Sequence, residues 1–388
     1  MQKPNIVFTS GMFPPAIGGP SKIVERLAKE LTDKGYHCTV VTFGEDDGIE
    51  RPYHVERVSF ATNKFLRLFK TFLATWKYAK DTDVIYTLDT YTHGLTSAIV
   101  SKLLRKPLIV RFTGDSAWET AFNNRETTSY ITDFQKQKHD FKTRAFMFRR
   151  NLILQRAEKI ITDCDFLREL LKLMDINVEK VTVINNTVDF LPQVDFDHNT
   201  FKKENHLKEN IIMTMGRLVP WKGYKAIIKI MPQILERFPE ATFAIVGDGP
   251  QMDDLKELTK QLELNNTVRF FGKVTDKTEK SKIYSVSDIF ILNTFYEGMS
   301  NTLLEAMGAR KPIIATKAGG NEEFVNSNNG ILVEYDSKEQ IKDALLQLLA
   351  DKNEQREKGE HGYQDVLKYT WDALIEKNVK LIDSICQK

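Results

Sequence analysis

Asp288-Ile289-Phe290-Ile291-Leu292 runs, two residues later, into Phe295-Tyr296-Glu297-Gly298-Met299-Ser300-Asn301-Thr302-Leu303-Leu304-Glu305-Ala306. The first run is almost wholly apolar and reads as a strand buried on both faces of a parallel sheet. The second run enters a helix over residues 301–309. Glu297 therefore sits on the strand-to-helix loop, and Glu305 lies about one to two turns into the helix. In open α/β sheets, ligands bind beyond the carboxyl ends of the strands, which is where this loop lies. A helix start there offers backbone N–H groups and a positive dipole end to an anion. Met299, Ser300, Asn301 and Thr302 supply those groups, and Gly298 permits close approach. Two carboxylates beside an anion site can accept hydrogen bonds from sugar hydroxyls. The pocket suits a ligand that is part phosphate and part sugar.

The same strand–helix alternation runs along the chain. Strands are predicted at 6–9, 38–43, 84–88, 108–112, 160–161 and 181–184, then at 211–215, 242–246, 268–271, 289–292, 313–315 and 331–333. Residues 21–34 read as an amphipathic helix with Ser21 as its N-cap, and 141–159 as a long basic helix. Residues 190–209 are polar, lack periodicity and carry Pro192, so they read as a linker. This spacing predicts βαβ units, parallel sheets and the α/β class. A chain of 388 residues exceeds one ordinary core, so two domains are expected. The boundaries predicted are 1–189, the linker 190–209, a second domain over 210–365, and a closing helix within 366–388.

Hydrophobic content of 41 % and charged content of 28 % place the chain among ordinary globular proteins. Its three cysteines, Cys38, Cys164 and Cys386, have no metal-site spacing, which points to a reducing cytoplasm. No apolar run reaches transmembrane length. The first strand starts too early to leave room for a signal peptide. The net charge of +2 hides an asymmetry: residues 51–150 hold 18 Lys/Arg against 9 Asp/Glu. Such a basic region suggests an anionic partner, and no nucleic-acid motif accompanies it. Three Asp-x-Asp triplets, at 81–83, 163–165 and 195–197, are common by chance, and the first precedes its strand at the wrong end of a parallel sheet. No essential metal and no cofactor are expected. Gly247-Asp248-Gly249 lacks the third glycine of a dinucleotide fingerprint, which disfavours NAD.

Glu297 and Glu305, seven residues apart between them, resemble the paired glutamates of the retaining nucleotide-sugar glycosyltransferases of family four. Met215-Gly216-Arg217-Leu218-Val219-Pro220-Trp221-Lys222-Gly223 is similar to that family's phosphate-binding segment. Ala244-Ile245-Val246-Gly247-Asp248-Gly249-Pro250 resembles its second strand and turn in the C-terminal domain. Pro14 to Pro20, with Gly18-Gly19, resembles its N-terminal glycine loop. Asn185-Asn186-Thr187-Val188-Asp189 resembles its interdomain crossing, with Thr187 in place of the usual glycine. The resemblance spans nearly the whole chain and is more specific in the second half. It implies the GT-B fold: two Rossmann-like parallel-sheet domains facing across a cleft, with the last helix crossing back to the first domain.

By this resemblance Arg217 and Lys222 hold the donor diphosphate and stabilise the leaving group. Glu305 takes the ribose hydroxyls, Glu297 lies nearer the transferred sugar, and Gly18 and Gly19 approach the donor from the first domain. The acceptor side departs from the pattern. Where many members carry a histidine after the fourth strand, this chain has Thr113-Gly114-Asp115. Asp115 is the candidate substitute, as a donor-sugar ligand or an orienter of the acceptor hydroxyl, against the plainer role of a helix cap. His93 is a second candidate for the acceptor, against a structural role. The function implied is transfer of a sugar to a glycan or lipid-linked acceptor, in surface polysaccharide or glycolipid synthesis. A sugar-nucleotide epimerase and a non-catalytic sugar-nucleotide-binding subunit remain as alternatives. In residues 64–80, Phe65, Leu68, Phe69, Phe72 and Trp76 share one helical face, and Lys64, Arg67, Lys70 and Lys77 lie largely on the other. That pattern suits peripheral contact with an anionic membrane on its cytoplasmic face, or simple packing of the aromatics on the sheet.

Overall fold

The computed structural model describes residues 3–16, 18–61 and 63–386. Two compact units result: the chain up to Asn185 joined by Trp371 onward, and Asn186–Thr370. The first unit holds seven strands: β1 (Asn5–Ser10), β2 (His37–Phe43), β3 (His54–Val58), β4 (Val84–Thr87), β5 (Leu108–Arg111), β6 (Lys159–Thr162) and β7 (Val181–Val183). Their order is β3-β2-β1-β4-β5-β6-β7. The second unit holds β8 (Asn210–Met215), β9 (Ala241–Val246), β10 (Val268–Gly272), β11 (Ile289–Leu292), β12 (Ile313–Thr316) and β13 (Gly330–Val333), in the order β10-β9-β8-β11-β12-β13. Every pairing is parallel. Both sheets step outward to one edge and return to the middle, the doubly wound α/β arrangement. Strands β4, β5, β11 and β12 are buried at every residue, which is why they read as apolar runs.

The sequence reading misses β3. It is an edge strand in which only Val58 is buried, and His54, Glu56 and Arg57 break any apolar run. The first helix, Gly19–Asp33, is capped by Gly18 rather than Ser21, and the Ser21 hydroxyl instead donates to the Ala16 carbonyl at 2.6 Å.

Residues 190–209 are more than a linker. They carry the helix His198–Glu204, capped by Asp197. The Phe196 ring stacks on His198 at 4.5 Å, and the Ser281 hydroxyl donates to the Pro192 carbonyl at 2.6 Å. A helix of two turns, held largely by side chains flanking it, leaves no periodic signal in the sequence.

The last helix, Trp371–Cys386, follows the second unit in the chain but belongs to the first. Leu374, Ile375, Leu381, Ile382 and Ile385 join Phe8, Tyr36, Tyr86 and Ile109 in one core. Each such side chain contributes about 1.5–3 kcal/mol on burial. Two hydroxyls fix the register: Tyr86 donates to Asn378 Oδ1 at 2.9 Å, and Tyr36 to Asp383 Oδ1 at 2.6 Å.

The helix Lys64–Ala79 turns Thr71, Thr75 and Ala79 inward. These small residues let it pack closely on the helix Thr92–Leu104 and the neighbouring strands. Packing of the aromatics is therefore only partial. Phe72 and Trp76 are half-buried, but Phe65 is 87 % and Phe69 57 % exposed, with Leu66 and Leu73 beside them. Arg67 folds over the Phe43 and Phe60 rings at 5.4 and 5.5 Å. Among the described residues, no helix is long and apolar enough to cross a membrane.

Candidate functional site

In the second unit, the loops after β8, β11 and β12 are tied together by hydrogen bonds. Phe295 N–H donates to the Trp221 carbonyl at 2.7 Å, and the Asn293 side-chain amide donates to the Gly223 carbonyl at 2.9 Å. Gly320 N–H donates to the Glu297 carbonyl at 2.9 Å. The preceding Gly319 has φ +59°, and a Cβ there would stand 2.0 Å from the Glu297 carbonyl oxygen. Only glycine fits such an approach without strain. The Glu297 backbone is thus fixed by a turn that the sequence reading did not single out.

Its side chain meets Lys222, whose ammonium donates to Glu297 Oε2. Both residues are largely buried. Arg217, on the same loop as Lys222, is exposed and lies over the Trp221 ring at 5.5 Å. The structure therefore brings Lys222 and Glu297 into contact and sets Arg217 on the turn leading to them.

Ser300 caps the helix Asn301–Gly308, its hydroxyl accepting from Leu303 N–H at 3.4 Å. Asn301 and Thr302 form the first turn, where N–H groups have no partner within a helix. Met299 is anchored by the Asn186 amide, which donates to its carbonyl at 3.2 Å. Glu305 is only 9 % exposed. Lys280, on the helix Lys277–Val286, donates to both of its oxygens, at 3.2 and 3.0 Å. Lys280 is a second residue that the sequence reading missed, because nothing in its local sequence marks it. The Tyr284 hydroxyl donates to the Thr302 carbonyl at 3.3 Å, and burial together with the nearby Glu305 charge pushes its ionisation well above the ordinary range.

The first unit carries a cavity of about 380 Å³ beyond the carboxyl ends of β1, β4 and β5. Phe43, Tyr91, His93, Thr113 and Glu119 are among its lining residues, and Pro20, next to Gly18-Gly19, reaches its wall. Asp89, also in the lining, holds two loops at once. It accepts from Gly11 N–H at 2.8 Å on one oxygen and from Tyr91 and Gly94 N–H at 2.8 and 3.2 Å on the other.

His93 is fully buried, its ring meeting Phe43 edge-on at 4.2 Å. Neither ring nitrogen has a hydrogen-bond partner among the described residues. Burial pushes its ionisation down to about 4, outweighing the opposite pull of Asp89, whose Oδ2 lies 3.8 Å away. At neutral pH it is an uncharged imidazole facing a cavity.

Asp115 is not among the residues lining the cavity. It is fully buried and caps the helix Ser116–Asn123 by accepting from Ala117 N–H at 2.9 Å. Its other oxygen accepts from buried Arg150 and from the Gln135 amide. Those partners occupy the carboxylate within the first unit. Thr113 and Gly114, just before it, line the cavity.

Two family models match the chain: Glycosyltransferase Family 4 over residues 17–190, and Glycosyl transferases group 1 over residues 195–365. An uncharacterised glycosyltransferase of Methanocaldococcus jannaschii is 26 % identical, with 97 % of each chain covered. A human component of phosphatidylinositol N-acetylglucosaminyltransferase is 23 % identical across 98 % of this chain and 76 % of its own length. Among solved structures, Anabaena HepE in complex with UDP and glucose superposes with a TM-score of 0.81 at 19 % identity, covering 98 % of this chain and all of that one.

Two predictions follow the geometry of the first unit. Asp115→Ala leaves Arg150 buried and unpaired, and should cost about 3–5 kcal/mol in denaturant unfolding. The pH dependence of stability should carry the mark of His93. Above about pH 6.5 the imidazole is neutral both folded and unfolded, so it adds no slope. As pH falls towards about 4, the unfolded chain takes up a proton that the folded chain refuses. Stability is lost across that window, by about 3 kcal/mol in all. Unfolding curves between pH 7 and 4.5 should show this slope in the wild type and its disappearance in His93→Phe.

Proposed function

Because this chain belongs to the glycosyltransferases of family four and has their GT-B fold, we propose that it transfers a sugar from a nucleoside diphosphate donor to a glycan or glycolipid acceptor with retention. The observation that carries this reading is the gathering of Arg217, Lys222, Glu297 and a capped helix start on adjoining loops of one sheet, with Glu305 in that helix. A diphosphate needs cations and free N–H groups, and this corner offers both. A nucleoside diphosphate is also supported by the UDP bound to the Anabaena structure.

The arriving diphosphate is an anion, and it competes with Glu297 for Lys222. Glu297 is released towards the neutral sugar, where its charge favours the positive character growing at the anomeric carbon. The bond from that carbon to the phosphate oxygen breaks, and a bond to the acceptor hydroxyl oxygen forms on the same face. The hydroxyl proton passes to the departing phosphate oxygen. Arg217 and Lys222 meet the charge that grows on this leaving group, so they act on the transition state. Glu305 accepts from the ribose hydroxyls. The acceptor enters the cavity of the first unit, whose aromatic walls and hydroxyls suit the mixed surface of a sugar.

The human relative's name specifies phosphatidylinositol, which supports a lipid-linked acceptor here. So does the helix Lys64–Ala79. Phe65, Leu66, Phe69 and Leu73 are exposed beside Lys64 and Lys70, a combination that fits shallow insertion into an anionic bilayer. Each such cation near the surface contributes about 1 kcal/mol.

Arg217→Ala, Lys222→Ala and Glu305→Ala should each stay folded and lose most transfer activity, on the order of 10²-fold or more for the two cations. Wild-type turnover and donor affinity in Glu305→Ala would overturn its assignment. Activity should survive chelation, and loss with recovery on adding a divalent ion would remove the metal-free mechanism. Co-sedimentation with anionic liposomes should weaken in high salt. It should fall further in Lys64→Glu/Lys70→Glu and in Phe65→Ser/Phe69→Ser. Binding unchanged in both variants would rule out this face.

A further inference from the structure

We propose that Lys280 is a positioning residue for the nucleoside. It pairs with Glu305 and aims it, and through it the site selects ribose over deoxyribose. The inference rests on the reading of Glu305 as the ribose ligand and adds a residue that this reading does not contain.

The argument starts from the charge of the ligand. Glu305 is nearly buried, and a buried carboxylate persists only with a partner. Lys280 supplies that partner, its single ammonium bridging both oxygens at 3.2 and 3.0 Å. A ribose diol is neutral. It can donate hydrogen bonds to Glu305, but it cannot replace the positive charge of Lys280. The lysine therefore stays when the nucleoside binds. Each carboxylate oxygen has two acceptor directions, so one ammonium leaves room for two hydroxyls.

The pair between Lys222 and Glu297 behaves in the opposite way. There the incoming group is an anion, which can take the lysine. One cation is exchanged on binding and the other is retained. The two helices concerned are further tied by Tyr284, on the same helix as Lys280, whose hydroxyl donates to the Thr302 carbonyl in the first turn of the Glu305 helix. Lys280 thus reaches Glu305 from a braced element.

Calorimetric titration of the full chain with UDP, GDP and their 2′-deoxy forms tests this. The wild type should prefer the ribo form of its nucleotide by about 10-fold or more, the size of a hydrogen bond to a charged acceptor. Lys280→Met should reduce that preference to within about twofold, with affinity for the deoxy form little changed. Lys280→Arg should restore it. Should Lys280→Met fail to fold, Lys280→Gln, which keeps a donor without the charge, carries the same comparison. Full ribose preference without the lysine would overturn the proposal, as would an equal loss of affinity for both forms. A wild type without preference, or Glu305→Ala that keeps it, would instead overturn the ribose reading beneath the proposal, and the proposal with it.

Discussion

Parallel pairing is the constraint on which the rest of the structure depends. When every strand of a sheet runs the same way, every loop after a strand emerges at the same edge. In the second unit this gathers the turns after β8, β11 and β12 into one place, although they are far apart in sequence. The hydrogen bonds from Phe295 to Trp221 and from Gly320 to Glu297 are made possible by that shared edge. The first unit obeys the same rule, and Asp89 pins two such loops there. Helices covering both faces bury the strands, so the apolar residues serve the core while the loops are left to carry chemistry.

The ion pairs of the second unit show how such an edge stores charge. Carboxylates and ammonium groups are packed where water is sparse, so each must be neutralised by a neighbour. Lys222 neutralises Glu297 in one such pair and Lys280 neutralises Glu305 in the other.

The fold was legible wherever a strand is written in apolar residues. All six strands of the second unit and six of the seven in the first coincide with apolar runs. The edge strand β3 escaped because His54, Glu56 and Arg57 interrupt it with polar side chains and only Val58 is buried, which leaves no such run. The helix His198–Glu204 escaped because it is too short for periodicity. At the site, motif residues Arg217, Lys222, Glu297 and Glu305 could be named from the sequence, but their partners could not. Lys280 lies 25 positions from Glu305, and Gly319-Gly320 touch Glu297 only through the sheet's topology. The partners of Asp115 were hidden for a related reason. A carboxylate after a strand reads the same in sequence whether it faces a cavity or a buried arginine, and Arg150 lies 35 positions away.

The helix Trp371–Cys386 has a bearing on how the protein emerges from the ribosome. The first unit leaves early in synthesis but lacks five of its core side chains until residues beyond Thr370 have been added. At about 5–20 residues per second, the intervening segment takes on the order of 10–40 s to be made. For that interval the surface awaiting Leu374, Ile375, Leu381, Ile382 and Ile385 stays open. The second unit, continuous in sequence, meets no such delay, so the half of the molecule translated later is the first able to reach its final form.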